Sequence, residues 1–240
     1  HLRDAHEARL DPKGMHVYLS GLLTDNMIHD AEQVFSEIPA HTPFSLQNLI
    51  FPAHSEGARE HIDMPHSMQS GVQLSIPSIG RNHPDYVPLR IAVIALGGYF
   101  GSRLMLNIRE DKGLTYGISA SLYGYPENSF ITISSQTDSS TVDMLIEESV
   151  REIERMKDAS TYTPDEIDRL SRFMLSELAG VLDTPFSQSD FLQTQVTAGA
   201  PAGYYAMQEQ TSRILSAELL AAMASKYFDT RRMFIATAGK

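Results

Sequence analysis

The chain has 240 residues, 42% of them hydrophobic and 20% charged, which fits a globular protein with a full core and is far from the composition of a disordered chain. Its formal net charge of -11 repels phosphate and so argues against a nucleic-acid or anionic-membrane partner. Without cysteine there is no disulfide framework, thiolate nucleophile or cysteine metal site, and the compartment, cytoplasmic or periplasmic, stays open.

The chain opens at His1, and polar residues 1–14 are expected to be a linker from a preceding domain, with 15–240 forming one domain. Met15 to Leu23 alternates loosely around Val17, Tyr18 and Leu19, the pattern of a strand. Thr24, Asp25 and Asn26 offer capping oxygens for a helix over about 25–37, where Met27, Ile28, Ala31, Val34 and Phe35 recur at helical spacing before Pro39. Residues 39–57, with Pro39, Pro43, Pro52 and Gly57, read as an irregular crossing. Two strands are expected between Ala58 and Pro77; the clearer, Ser70 to Ile76, alternates Val72, Leu74 and Ile76 and should break at Pro77.

His83 to Tyr86 opens an apolar helix through Leu96 that Gly97 and Gly98 stop, and a short helix over Ser102 to Glu110 follows. A hairpin comes next: Thr115 to Tyr123, a turn at Gly124 to Asn128, then Ser129 to Ser135. Ser140 to Lys157 is an amphipathic helix with Val142, Leu145, Ile146, Val150, Ile153 and Met156 along one stripe. Thr163-Pro164-Asp165-Glu166 combines an N-cap, a first-turn proline and a capping-box glutamate, and so marks the next helix start. Later breaks fall near Pro185 and Pro201, and Met233 to Ala238 is a closing strand. The hairpin demands antiparallel pairing, so the expected fold class is α+β: a two-layer sandwich whose antiparallel or mixed sheet has helices packed on one face.

The longest apolar run, Ile91 to Leu96, falls far short of the ~20 residues of a membrane-spanning helix, and the chain reads as soluble. All nine histidines lie before residue 84, and none forms a His-x-x-Glu-His or His-Glu-x-x-His motif. Pro65 keeps the His61 to His66 cluster off a helical face, so no metal or cofactor site is expected within this chain. No Gly-x-Ser-x-Gly elbow is present, and the glycines of 97–101 follow a helix rather than the strand that a nucleotide-binding loop requires.

The run Leu96-Gly97-Gly98-Tyr99-Phe100-Gly101-Ser102-Arg103-Leu104, continued by Ile108-Arg109-Glu110-Asp111-Lys112-Gly113-Leu114-Thr115-Tyr116-Gly117, stands apart. It resembles the insulinase/pitrilysin-type metallopeptidases, which carry Leu-Gly-Gly, Ser-Arg-Leu and Arg-Glu-x-x-Gly-Leu-x-Tyr in this order. Gln73, His83 to Tyr86, Thr163 to Glu166 and Met233 to Gly239 are similar to the family's flanking elements, so the resemblance covers nearly the whole chain. Such peptidases repeat an α+β domain of about this size, and one copy holds zinc while its partner does not. This chain resembles the partner, the non-metal C-terminal-type domain.

The resemblance implies a chamber-forming, substrate-binding partner of a zinc-dependent endopeptidase, inactive as an isolated chain. Zinc is then expected in a homologous domain on the same polypeptide or a separate subunit, and peptides are the substrates. It also implies that Arg109 and Tyr116 contact substrate, as donors to the peptide carbonyl or to the oxyanion that develops there, not as nucleophile or base. The alternative is a catalytically silent scaffold or assembly member of the same fold. One departure is the short Tyr99-Phe100-Gly101 segment, where the processing-peptidase branch has a longer glycine-rich loop, so presequence recognition of that kind is not implied.

Overall fold

The computed structural model describes residues 1–9, 12–39, 56–125 and 128–240. They fall into two compact units, one from 1–52 with 181–194 and the other from 53–180 with 195–240.

In the first unit, residues Leu2–Arg9 form helix α1 and Asp25–Ser36 form α2. Thr24 caps α2 as its sequence position predicts, Oγ1 accepting from Met27 N at 3.4 Å. The strand expected over Met15 to Leu23 is not formed: residues 15–24 have no ladder partner among the described residues. Val17 and Leu19 are each 44% exposed, so the alternation has no buried face to reward pairing. The crossing expected at 39–57 lies largely outside the described residues, as do residues 126–127 of the hairpin turn.

The second unit is a five-stranded mixed sheet with helices packed against it. Its strands are β1 (Arg59–Asp63), β2 (Ser70–Ile79), β3 (Ile118–Gly124), β4 (Asn128–Thr137) and β5 (Phe234–Gly239), in the order β1-β5-β2-β4-β3. Among the described residues only β1 and β5 pair in parallel. The alternation read from the sequence sets the layers: Val72, Leu74, Ile76, Ile118, Ala120, Ile131 and Ile133 are buried, whereas Gln73, Ser119, Ser121 and Ser134 are exposed. Contrary to expectation, β2 does not stop at Pro77, which pairs with Phe130. Pairing with β5 ends at Ser75, so Pro77 sits where one side of the strand is an edge, the setting that tolerates a residue without an N–H.

The apolar helix α3 (Tyr86–Gly97) lies against this sheet with Leu89, Ile91 and Ala92 fully enclosed. It begins three residues later than the sequence predicts, because His83 to Asp85 form a turn in which Asp85 accepts from Lys226 Nζ (2.5 Å) and Tyr227 Oη (2.6 Å). Those two hydrogen bonds hold the Asp85 carboxyl below its usual range. Helix α4 (Val142–Arg155) buries Leu145, Ile146 and Ile153, half of the stripe predicted for it, and Met156 just past its end is buried too. Burying each such side chain stabilises the fold by about 1.5–3 kcal/mol. Helices α5 (Pro164–Val181), α7 (Tyr204–Arg213) and α8 (Ala217–Tyr227) follow, while α6 (Pro185–Thr197) belongs through residue 194 to the first unit. Thr163 Oγ1 accepts from Glu166 N at 3.2 Å, the N-cap of α5 that the sequence marks. Among the described residues, no helix is long and apolar enough to cross a membrane.

Candidate functional site

The motif run from Leu96 to Gly117 separates into a buried scaffold and a presented edge. Gly97 ends α3 directly against β3: a Cβ there would stand 2.6 Å from Ala120 N and 2.7 Å from Ala120 Cβ. Backbone cannot yield as a flexible side chain does, so Gly97→Ala is expected to lose about 1–3 kcal/mol of stability. Gly117→Ala, whose Cβ meets nothing within 4 Å, should stay near wild type; urea unfolding of the two variants checks this contrast.

After the turn, Tyr99 stacks on Phe173 with centroids 4.8 Å apart. Arg103 then turns inward, 7% exposed, and its guanidinium engages both oxygens of Glu166, Nε to Oε1 at 2.7 Å and Nη2 to Oε2 at 3.2 Å. Leu104 and Ile108 are fully buried.

Met105–Asp111 is wound as a π-helix where a plain α-helix was expected, and Lys112 N reaches back to Asn107 O at 3.0 Å. Such widened turns cluster at functional sites. The wide turn places Asn107 over α4, where its Nδ2 donates to Glu152 Oε1 (2.7 Å) and Glu148 Oε2 (3.3 Å), while its Oδ1 accepts from Lys112 Nζ (2.7 Å). Burial opposes ionisation of Glu148, but the hydrogen bonds from Asn107 and Lys112 and the charge of Arg151 outweigh it, leaving its carboxyl below the usual range. This network lines a cavity of about 540 Å³ with Arg103, Arg155 and Glu166. Glu148, Glu152 and Glu166 are each paired with a cation there, so the network braces the segment.

Arg109 and Tyr116 leave this scaffold. The Arg109 side chain is 34% exposed, 3.2 Å from Glu110 Oε1 and 5.1 Å from the Phe100 ring centroid. Gly113, at φ +61°, turns the chain toward β3. The expected strand start at Thr115 is replaced by a clamp: Thr115 Oγ1 donates to Gln136 O (2.6 Å) and accepts from Gly117 N (3.1 Å). Between these fixed neighbours Tyr116 stands 91% exposed. It borders a depression of about 310 Å³ lined by neutral hydrogen-bonding groups, among them Gln69, Ser134, Ser135 and Gln136. Arg109 does not line that depression, and the two side chains make no hydrogen bond with each other. Sequence reasoning singled out this pair but missed the inward role of Arg103, whose partner lies 63 residues away.

Among the described residues, no group of three or more histidine, aspartate or glutamate side chains could hold a metal ion. His61 Nδ1 lies 2.9 Å from Thr237 Oγ1 and His83 Nδ1 accepts from Asp85 N at 3.1 Å, both ordinary structural contacts.

The family model described as the peptidase M16 inactive domain matches residues 1–174. No curated protein matches the chain. Among solved structures, the chain is similar to a peptidase M16 inactive domain from Pseudomonas fluorescens, with 26% identity over 90% of this chain and 52% of that one, at a TM-score of 0.75. A protease from Helicobacter pylori gives a TM-score of 0.83 at 15% identity, covering 92% of this chain and 54% of that chain. The periplasmic protease PqqL from Escherichia coli gives 0.70 at 14% identity, covering 91% and 24%. The chain thus spans about half the length of the first two.

Proposed function

Because the chain belongs to the family of peptidase M16 inactive domains, we propose that it is the substrate-contacting, metal-free half of a zinc-dependent endopeptidase. A homologous zinc-motif domain, on the same polypeptide or a separate subunit, supplies the metal, and peptides are enclosed between the two. The observation that carries this reading is the division of the motif run. Gly97, Arg103 and Ile108 serve the interior, while Tyr116 faces outward and Arg109 stays half-exposed beside Glu110. A guanidinium and a phenol so held can donate to a peptide carbonyl and to the oxyanion that forms when the carbonyl is attacked. Their fixed backbone limits the reorganisation needed at that moment.

The test is peptidase activity on a mixed peptide substrate, for the chain alone and after addition of a zinc-motif domain, with and without chelator. The expected outcome is hydrolysis only in the mixture, abolished by chelator. Chelator-sensitive hydrolysis by this chain alone would overturn the metal-free reading, and a folded, zinc-loaded mixture that stays silent would favour a scaffold role.

A further inference from the structure

Away from the motif run, buried polar groups without partners gather at one corner of the second unit. Of the five such side-chain atoms among the described residues, four are Ser78 Oγ, Ser129 Oγ, Arg81 Nε and Gln208 Nε2. Ser78 and Ser129 face each other across β2 and β4, and Ser129 also pairs with Gly124 of β3. The Tyr86 hydroxyl lies so close to Gly124 that a Cβ there would meet it at 1.9 Å. Over the Tyr86 ring sits the Arg81 guanidinium, 5.5 Å from its centroid and 6.0 Å from that of Tyr204. One helical turn further along both α3 and α7, Arg90 Nη1 donates to Gln208 Oε1 at 2.9 Å.

Two half-buried guanidiniums therefore border the α7 face that carries Tyr204 and Gln208, Arg81 near the Tyr204 ring and Arg90 on the Gln208 amide. Among the described residues, each of them donates only to a neutral amide, Arg81 to Gln195 and Arg90 to Gln208. Burial pushes the Tyr204 hydroxyl up, and the charges of Arg90 and Arg81 partly oppose it, so both cations are within electrostatic reach of that phenol. A chain of net charge -11 has carboxylates to spare, yet among the described residues none pairs with these two arginines. Buried donors and charges of this kind are ordinarily answered by an acceptor.

We propose that this corner is a binding site for a small oxyanion, a carboxylate or phosphate group, held by Arg81 and Arg90 with Gln208 Nε2 and the Tyr204 hydroxyl. It is separate from the Arg109 and Tyr116 edge and does not depend on that reading.

The melting temperature of the whole chain in sodium phosphate and in sodium acetate, against sodium chloride at equal ionic strength and pH, tests the site. The expected result is a saturable rise with phosphate, acetate or both, the stronger ligand identifying the group, and a half-saturating concentration raised about tenfold in Arg90→Gln. A rise that stays linear with concentration is general salt stabilisation and would overturn the proposal, as would an equal saturable response in folded Arg90→Gln. Gln208→Glu gives an independent reading should Arg90→Gln fail to fold. A built-in carboxylate beside Arg90 should raise the melting temperature by roughly 2–4 °C and remove the anion response. A lowered melting temperature, the usual result of burying a carboxylate, would overturn the site.

Discussion

Replacing Arg103 with alanine is expected to destabilise the chain by about 3–5 kcal/mol, the largest effect foreseen for a single side chain. Arg103 and Glu166 are 7% and 15% exposed, so removing the guanidinium leaves a carboxylate in the interior with its main counter-charge gone. Three further contacts disappear with it: Nη1 to Thr161 Oγ1 (3.1 Å), Nη2 to Thr161 O (3.2 Å) and the approach to the Tyr162 ring at 3.8 Å. At roughly 2–4 °C per kcal/mol for a chain of this size, the melting temperature should fall by about 6–20 °C. Arg103→Lys should recover little, since an ammonium cannot bond both carboxylate oxygens in a fork and stack on the ring at once. The double variant Arg103→Met, Glu166→Leu should recover most of the loss, because an apolar pair leaves no buried charge unanswered. Chemical denaturation checks the series, and an Arg103→Ala variant within about 1 kcal/mol of wild type would contradict the interior role.

Arg109→Ala should behave in the opposite way, leaving stability nearly intact and lowering peptide turnover in the assembled peptidase by about 10 to 100-fold. Its partner in the chain, Glu110, is 45% exposed at 3.2 Å, and an exposed pair of this kind contributes only about 0–1 kcal/mol. A charged hydrogen bond to the reacting carbonyl contributes about 1.5–3 kcal/mol, which sets the expected loss. Tyr116→Phe removes a neutral donor and should cost only a few-fold, about 0.5–1.5 kcal/mol. Steady-state kinetics on folded variants decides the matter, and unchanged turnover in Arg109→Ala would remove that residue from the site. The two variants are thus expected to separate stability from activity within one motif run.

That division was only half legible in the sequence. The family resemblance drew attention to Arg109 and Tyr116, but nothing local distinguishes Arg103 as the buried arginine. Glu166 was visible as a capping-box residue of α5, yet a capping glutamate does not announce a second partner 63 positions earlier. The π-helical winding of Met105–Asp111 was equally hidden, because the carboxylates that Asn107 meets there, Glu148 and Glu152, lie 41 and 45 residues further along the chain.

The sheet was more readable where one face is buried. Val72, Leu74 and Ile76 fixed the core side of β2, and the aromatic and β-branched strands of the hairpin fixed β3 and β4 within a few residues. The parallel pairing of β1 with β5 was not legible, since every residue of β1 is exposed and carries no alternation. Met15 to Leu23 failed for the converse reason: alternation is present without a partner strand among the described residues.

The most direct test of the account places a photoreactive p-benzoylphenylalanine at position 116 and irradiates the chain, joined with a zinc-motif domain, in the presence of a peptide substrate. Tyr116 projects 91% exposed from a clamped segment, so the account predicts a covalent adduct to the peptide that unlabelled substrate competes away. The same label at position 123, on a 52% exposed tyrosine further along β3, should give little. Equal labelling at both positions, or none at 116 in an assembly that is hydrolysing peptide, would contradict a substrate-contacting role for this edge.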